Sequence, residues 1–78
     1  MRRFSAREML NKLKWDPRFD FSQCVVVCVD RFHGTIEINA AEIESIGHKF
    51  LYLKDGRALP QHRIIEIRYG GEVVWRRP

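Results

Sequence analysis

Gly70-Gly71 lies between two β-rich runs, and this arrangement limits the possible folds more than any other feature of the chain. The first run is Leu59-Pro60-Gln61-His62-Arg63-Ile64-Ile65-Glu66-Ile67-Arg68-Tyr69. The second is Glu72-Val73-Val74-Trp75-Arg76. A two-residue Gly-Gly loop suits a type I′ turn, which needs positive φ at both central positions, so the segment reads as a β-hairpin. With the glycines as the loop, Tyr69 faces Glu72, Ile67 faces Val74 and Ile65 faces Arg76. Strand alternation then puts Ile65, Ile67 and Val74 on the core side. His62, Ile64, Glu66, Arg68, Val73, Trp75 and Arg77 fall on the opposite face. Arg63 starts the first strand, so a His-Arg pair stands at the strand mouth.

Upstream, Ser5 to Lys14 reads as a helix. Ser5 caps it, and Glu8 three residues later completes a capping-box pattern. Phe4, Met9, Leu10 and Leu13 form a partial apolar stripe. Trp15-Asp16-Pro17 ends the helix, because proline disfavours helical backbone at Asp16, and Trp15 is expected to lid the core. Arg18 to Gln23 connects to Cys24-Val25-Val26-Val27-Cys28-Val29, an apolar run suited to a central strand buried on both faces, with the helix over one of them. Asp30-Arg31-Phe32-His33-Gly34 is a turn, and Thr35-Ile36-Glu37-Ile38 alternates like a half-exposed strand antiparallel to the first. Asn39 to Glu42 is a short break. Ile43 to His48 is ambiguous between strand and helix. Lys49 to Leu53 has strand propensity, and Lys54-Asp55-Gly56-Arg57 is a turn before Pro60. The expected fold is α+β: one N-terminal helix packed on a curled antiparallel sheet of about five short strands, whose curl approaches a small open barrel.

At 78 residues the chain reads as one domain, residues 1–78, and buries only about 60% of its unfolded surface. No apolar run approaches the ~20 residues of a membrane span. Met1-Arg2-Arg3 leads into a charged segment and not into an apolar signal region. A cytoplasmic protein with no membrane association is the expectation. The net charge is +4, with the excess at the two ends and a near-neutral middle. Ten of the 14 basic residues are arginine, whose planar fork grips phosphate at two points where lysine offers a single ammonium. This favours nucleic acid or nucleotide over a purely solvated basic surface.

Several chemistries lack their signatures. Cys24 and Cys28 in one strand point the same way, roughly 13 Å apart at ~3.3 Å per residue. That is too far to share a metal with Zn–S bonds of ~2.3 Å or to form a disulfide, so buried free thiols are expected. No phosphate loop, dinucleotide fingerprint, serine nucleophile elbow or zinc-protease helix is present, and no metal or cofactor is implied. Two histidines near one phosphate can cleave RNA by paired acid and base action. Of His33, His48 and His62, the first and last stand at strand mouths beside an arginine. Arg31-Phe32-His33-Gly34 and Pro60-Gln61-His62-Arg63 each put a cation and an imidazole at the edge of an apolar strand, where charge must be paired or kept wet. A phosphate would satisfy both. The competing reading is structural ion pairing, Arg63 with Asp30 or Arg31 with Glu66.

Leu10-Asn11-Lys12-Leu13-Lys14-Trp15-Asp16-Pro17, Asp30-Arg31 with Gly34, Leu59-Pro60-Gln61-His62-Arg63-Ile64-Ile65-Glu66-Ile67 and Val74-Trp75-Arg76-Arg77 together resemble a small, mainly archaeal, uncharacterised protein family. The same pieces resemble the domain proposed to recognise RNA ends bearing a 2′,3′-cyclic phosphate, which also occurs fused to RNA-processing domains. The resemblance covers essentially the whole chain. It implies a non-catalytic RNA-binding module whose candidate positions are Arg31, His62 and Arg63; the Arg31-Phe32-His33-Gly34 loop departs from the family's usual sequence.

The expected site is therefore Arg31 and Arg63 clamping a terminal phosphate, with His62 bonding it or orienting an arginine. His33 stands nearby, Trp75 or Tyr69 stacks a base, and Arg76, with Arg77, Arg2 and Arg3, adds salt-sensitive attraction. The expected partner is single-stranded RNA at its ends, with RNA-processing proteins as further partners and no DNA preference. Two alternatives stand beside this reading: a small ribonuclease or cyclic phosphodiesterase using His62 with His33 or His48, and a protein-interaction or assembly module.

Overall fold

The computed structural model describes residues 4–78; Arg2 and Arg3, with the attraction expected of them, lie outside the described residues. The chain opens with helix α1, Ala6–Trp15. Ser5 Oγ accepts the Glu8 backbone N–H at 3.1 Å and Glu8 Oε1 accepts the Ser5 N–H at 2.9 Å, which closes the expected capping box. Asp16 ends the helix in extended backbone, as its proline neighbour requires. Ala6, Leu10 and Leu13 are the buried face. Trp15 does not lid the core: it is 72% exposed, and Lys14 Nζ lies 5.2 Å from its ring centroid. It falls outside the stripe that Leu10 and Leu13 define, so the core has no claim on it.

After the helix come seven strands: β1 Cys24–Asp30, β2 Gly34–Asn39, β3 Ile43–Ile46, β4 Phe50–Leu53, β5 Ala58–Pro60, β6 Ile64–Tyr69 and β7 Glu72–Arg76. They form two antiparallel sheets, ordered β2-β1-β6-β7 and β3-β4-β5, and neither closes into a barrel. The α+β class with an N-terminal helix and antiparallel pairing is as expected; the strands are more numerous and are divided between two sheets. Ile43 to Ile46 is strand, which resolves that ambiguity. One apolar cluster joins Leu10 and Leu13 of α1 to Cys24, Val26, Cys28, Ile38, Leu51, Leu53, Ile64 and Ile67. Both cysteines are buried free thiols, and burial pushes each up to about 11.

β1 is buried fully on one face only. On the other face Val27 is 6% exposed but Val29 is 40% exposed. Val27 lies between Glu37 of β2 and Glu66 of β6 in register. Arg68 donates to both carboxylates, at 2.9 Å to Glu37 and 2.6 Å to Glu66. Its side chain therefore bridges across Val27 and takes the place of a second packed layer.

The hairpin exists, with Gly70 and Gly71 at positive φ and Tyr69 opposite Glu72. The expected register holds through Arg68 opposite Val73 and fails beyond it. Ile67 faces Trp75, and Glu66 faces Arg76. β6 is involved in two bulges, and the one at Val74 causes this shift. Against β1, Cys28 pairs with Ile64 and Val27 with Glu66, so Ile65 is the extra residue. Against β6, Trp75 pairs with Ile67 and Val73 with Arg68, so Val74 is the extra residue. Each inserted residue reverses the facing of the side chains beyond it. Ile64 and Ile67 are thus both fully buried, Val74 is exposed, and Trp75 packs against the core.

Candidate functional site

Three chain segments meet at one end of the four-stranded sheet. Because β6 runs antiparallel to both neighbours, its start lies beside the ends of β1 and β7. The residues leading into β6 are not strand as expected: Gln61–Arg63 forms a 3-10 turn whose last residue is Arg63. Gln61 fixes this turn to the loop between β3 and β4. Its backbone N–H donates to Lys49 O at 2.9 Å, and its side-chain amide donates to Gly47 O at 2.6 Å.

An open groove of about 310 Å³ lies at this junction, lined by Val29, Arg31, His62, Arg63 and Arg77. Two arginines come from positions the sequence singled out, and the third comes just after β7. Arg77 is tied in by its backbone N–H to Ile65 O at 2.9 Å and by Nη1 to His62 O at 2.9 Å. Among the described residues no carboxylate lines the groove. The acids of both structural ion pairs weighed from the sequence are engaged elsewhere. Asp30 accepts the Phe32 backbone N–H at 2.8 Å and lies 3.1 Å from His33 Nδ1. Those two contacts, the Phe32 bond foremost, hold its carboxyl below the usual range. Glu66 is held by Arg68 at 2.6 Å and Arg76 at 3.1 Å, and both bonds lower its pKa. Three arginines therefore line one concavity with no acid in its lining to neutralise them, a setting that calls for an anion.

The other candidates are used differently. His33 is engaged by Asp30 in the β1–β2 turn and does not line the groove. Arg76 pairs with Glu66. Trp75 Nε1 donates to Phe4 O at 2.7 Å, and Tyr69 OH accepts the Asp20 N–H at 2.7 Å while its ring meets Phe19 edge-on. Both aromatics are structural in these contacts. An exposed aromatic that follows a groove residue in the chain is Phe32, 87% exposed and directly after Arg31. Arg77 and Phe32 are the positions that sequence reasoning placed too low. The hairpin pattern did put Arg77 on the face of His62; Phe32 had its signal in an aromatic set within a charged turn.

A second groove, about 260 Å³, adjoins the first through His62 and Arg77, and is otherwise lined by Ser5, Ala6, Arg7, Gln61, Ile64 and Trp75. Among the described residues no group of three or more His, Cys, Asp or Glu is disposed to hold a metal, and no helix is long and apolar enough to cross a membrane.

Comparison with known proteins bears on what such a groove serves. The family model of the MJ1316 RNA cyclic group end recognition domain matches residues 1–77. The chain belongs to this family. It is 52% identical over 69 residues to a UPF0248 protein of Archaeoglobus fulgidus, covering 88% of this chain and 100% of that one. A UPF0248 protein of Metallosphaera sedula is 39% identical over 73 residues, covering 94% and 92%. One of Thermococcus gammatolerans is 35% identical over 77 residues, covering 96% and 92%. No solved structure matches. For the RNA cyclic group end recognition family, this member presents a cationic groove built from the β1 exit, the β6 approach and the β7 exit, with a less polar groove alongside it.

Proposed function

We propose that the chain is a non-catalytic RNA-binding module that takes a terminal phosphate, in particular a 2′,3′-cyclic phosphate, in the groove of Arg31, His62, Arg63 and Arg77. The observation that carries this reading is the convergence of three arginines and an imidazole, from three separate segments, in a groove that no carboxylate among the described residues lines. Guanidinium groups pair with phosphate oxygens by charge-assisted bonds, and the Arg77 bond to His62 O keeps the two residues in fixed relation. A cyclic phosphodiester carries one negative charge and presents its oxygens at a chain end, where an open groove reaches it without unstacking a duplex. Phe32 offers an exposed face for a neighbouring base. The expected partner is single-stranded RNA in the cytoplasm, with RNA-processing proteins as its associates and no preference for DNA. A hydrolytic reading needs a second imidazole within reach of the same phosphate, and the groove lining supplies His62.

The test is binding of one short RNA with three different 3′ ends, cyclic phosphate, linear phosphate and hydroxyl, at two salt concentrations. The cyclic end should bind best. Arg63→Ala, still folded, should lose about ten- to a hundredfold in affinity for that end and little for the hydroxyl end. Equal binding to all three ends, vanishing with salt, would leave only a basic surface. Conversion of the cyclic end during incubation would make the protein an enzyme.

A further inference from the structure

The second groove differs in chemistry from the first but shares two of its residues. Its walls are largely apolar, with Ala6, Ile64 and Trp75 lining it, and its volume is about 260 Å³. Most of its polar side chains are already engaged. Ser5 Oγ accepts the Glu8 N–H, the Gln61 amide donates to Gly47 O, Trp75 Nε1 donates to Phe4 O, and Arg77 Nη1 donates to His62 O. Arg7 is different. Its Nε is buried with no hydrogen-bond partner, an unfavourable state for a donor on a charged group. A ligand suited to this groove brings a flat apolar body and an acceptor atom toward which the Arg7 guanidinium can turn. A phosphate alone does not fit that description. A nucleobase does: its faces are apolar and its edge carries carbonyl oxygens or ring nitrogens.

The two grooves meet at His62 and Arg77, as the base and phosphate of one nucleotide meet at its ribose. We propose that the second groove receives the nucleobase of the RNA's terminal nucleotide, with Arg7 hydrogen-bonding the acceptor edge of that base. This deepens the reading of the first groove and rests on it. The protein would then recognise a complete terminal nucleotide, and a bare phosphate or an abasic end would be a poor ligand.

The experiment uses the full chain and two short RNAs ending in 2′,3′-cyclic phosphate, one with its terminal base and one with that ribose abasic, beside a hydroxyl-ended control. The intact end should bind the wild type about tenfold more tightly than the abasic end. Arg7→Met, which keeps the apolar stem and removes the donors, should bring that ratio to within about twofold while retaining preference for cyclic phosphate over hydroxyl. Because Arg7 Nε is buried and has no partner to lose, the melting temperature of Arg7→Met should match or exceed that of the wild type. Arg63→Ala should do the reverse, losing the phosphate preference and keeping the ratio of intact to abasic. If the wild type prefers the cyclic end yet binds intact and abasic ends equally, the base lies elsewhere and this proposal alone is overturned. An unchanged ratio in a folded Arg7→Met overturns the role of Arg7. Loss of all discrimination between phosphate and hydroxyl ends in the wild type would overturn the reading of the first groove, and this one with it.

Discussion

Arg63, at the end of the turn before β6, and Arg68, within β6, stand five residues apart, yet they belong to opposite kinds of arginine cluster. Around Arg68 the charges are matched: Glu37 and Glu66 neutralise it, Arg76 shares Glu66, and the network lies over Val27 in place of a packed layer. Around Arg63 they are unmatched: Arg31, Arg77 and His62 share the concavity, and the nearby Asp30 is turned into its own loop. Arginine content is the same kind of signal in both places. What separates a stabilising cluster from a binding one is where the carboxylates go.

That contrast can be broken by moving a carboxylate into the unmatched cluster. Val29 lines the groove and is 40% exposed, so Val29→Glu should fold normally while placing an acid among three arginines. Affinity for phosphate-ended RNA should fall by about ten- to a hundredfold, since ion pairing at ~4 Å under an effective dielectric near 20 is worth up to about 4 kcal/mol. Filter binding beside a melting curve checks both halves. If the variant binds as well as wild type, the groove is not where phosphate sits.

The converse change is Arg68→Ala in the matched cluster. It removes both bonds across Val27 and uncovers that side chain, so the melting temperature should fall by a few degrees. RNA affinity should change by less than about twofold. A larger binding loss than stability loss would show that the two clusters work together.

The smallest effect separates the clusters by pH. Glu66 is held below its ordinary pKa by its bonds to Arg68 and Arg76, and Asp16 is held down to about 2 by its bond to Arg18. A carboxylate depressed in the folded state contributes its stability above the unfolded value near 4, and loses it as pH falls towards the folded one. Urea midpoints should therefore be flat from about pH 7 to 5 and decline below about pH 4.5. Glu66→Gln should be less stable at neutral pH and show a shallower decline. A decline already under way near pH 6 would point to a histidine instead.

Most elements were legible in the sequence because their signals are local. Ser5 and Glu8 mark the helix start, Pro17 its end, and Gly70-Gly71 the hairpin turn. Convergence of Arg31 with His62 and Arg63 was legible too, since both motifs sit at strand mouths and antiparallel pairing brings such mouths together. What escaped was non-local. The bulges at Ile65 and Val74 have no fixed residue signature, and one inserted residue exchanges the inward and outward sets. Trp75 therefore packs inward where it was expected to stack a base, and Val74 points out where it was expected in the core. The division into two sheets was hidden for a similar reason. Short alternating runs announce strands but not which partner each will take.

Gln61 carries a consequence of another kind. It is not an RNA ligand in the proposed phosphate clamp, yet its two bonds to the 47–49 segment hold the turn that presents His62 and Arg63. Gly47, its acceptor, tolerates no side chain: a Cβ there would lie 2.6 Å from the Tyr52 ring and 2.9 Å from Phe50 O. Any selection for variants that no longer hold RNA should thus return two separate patches on the molecular map, one in the groove and one behind it around residues 47–52. Assigning the second patch to contact with the ligand would misread a mounting bracket as part of the hand.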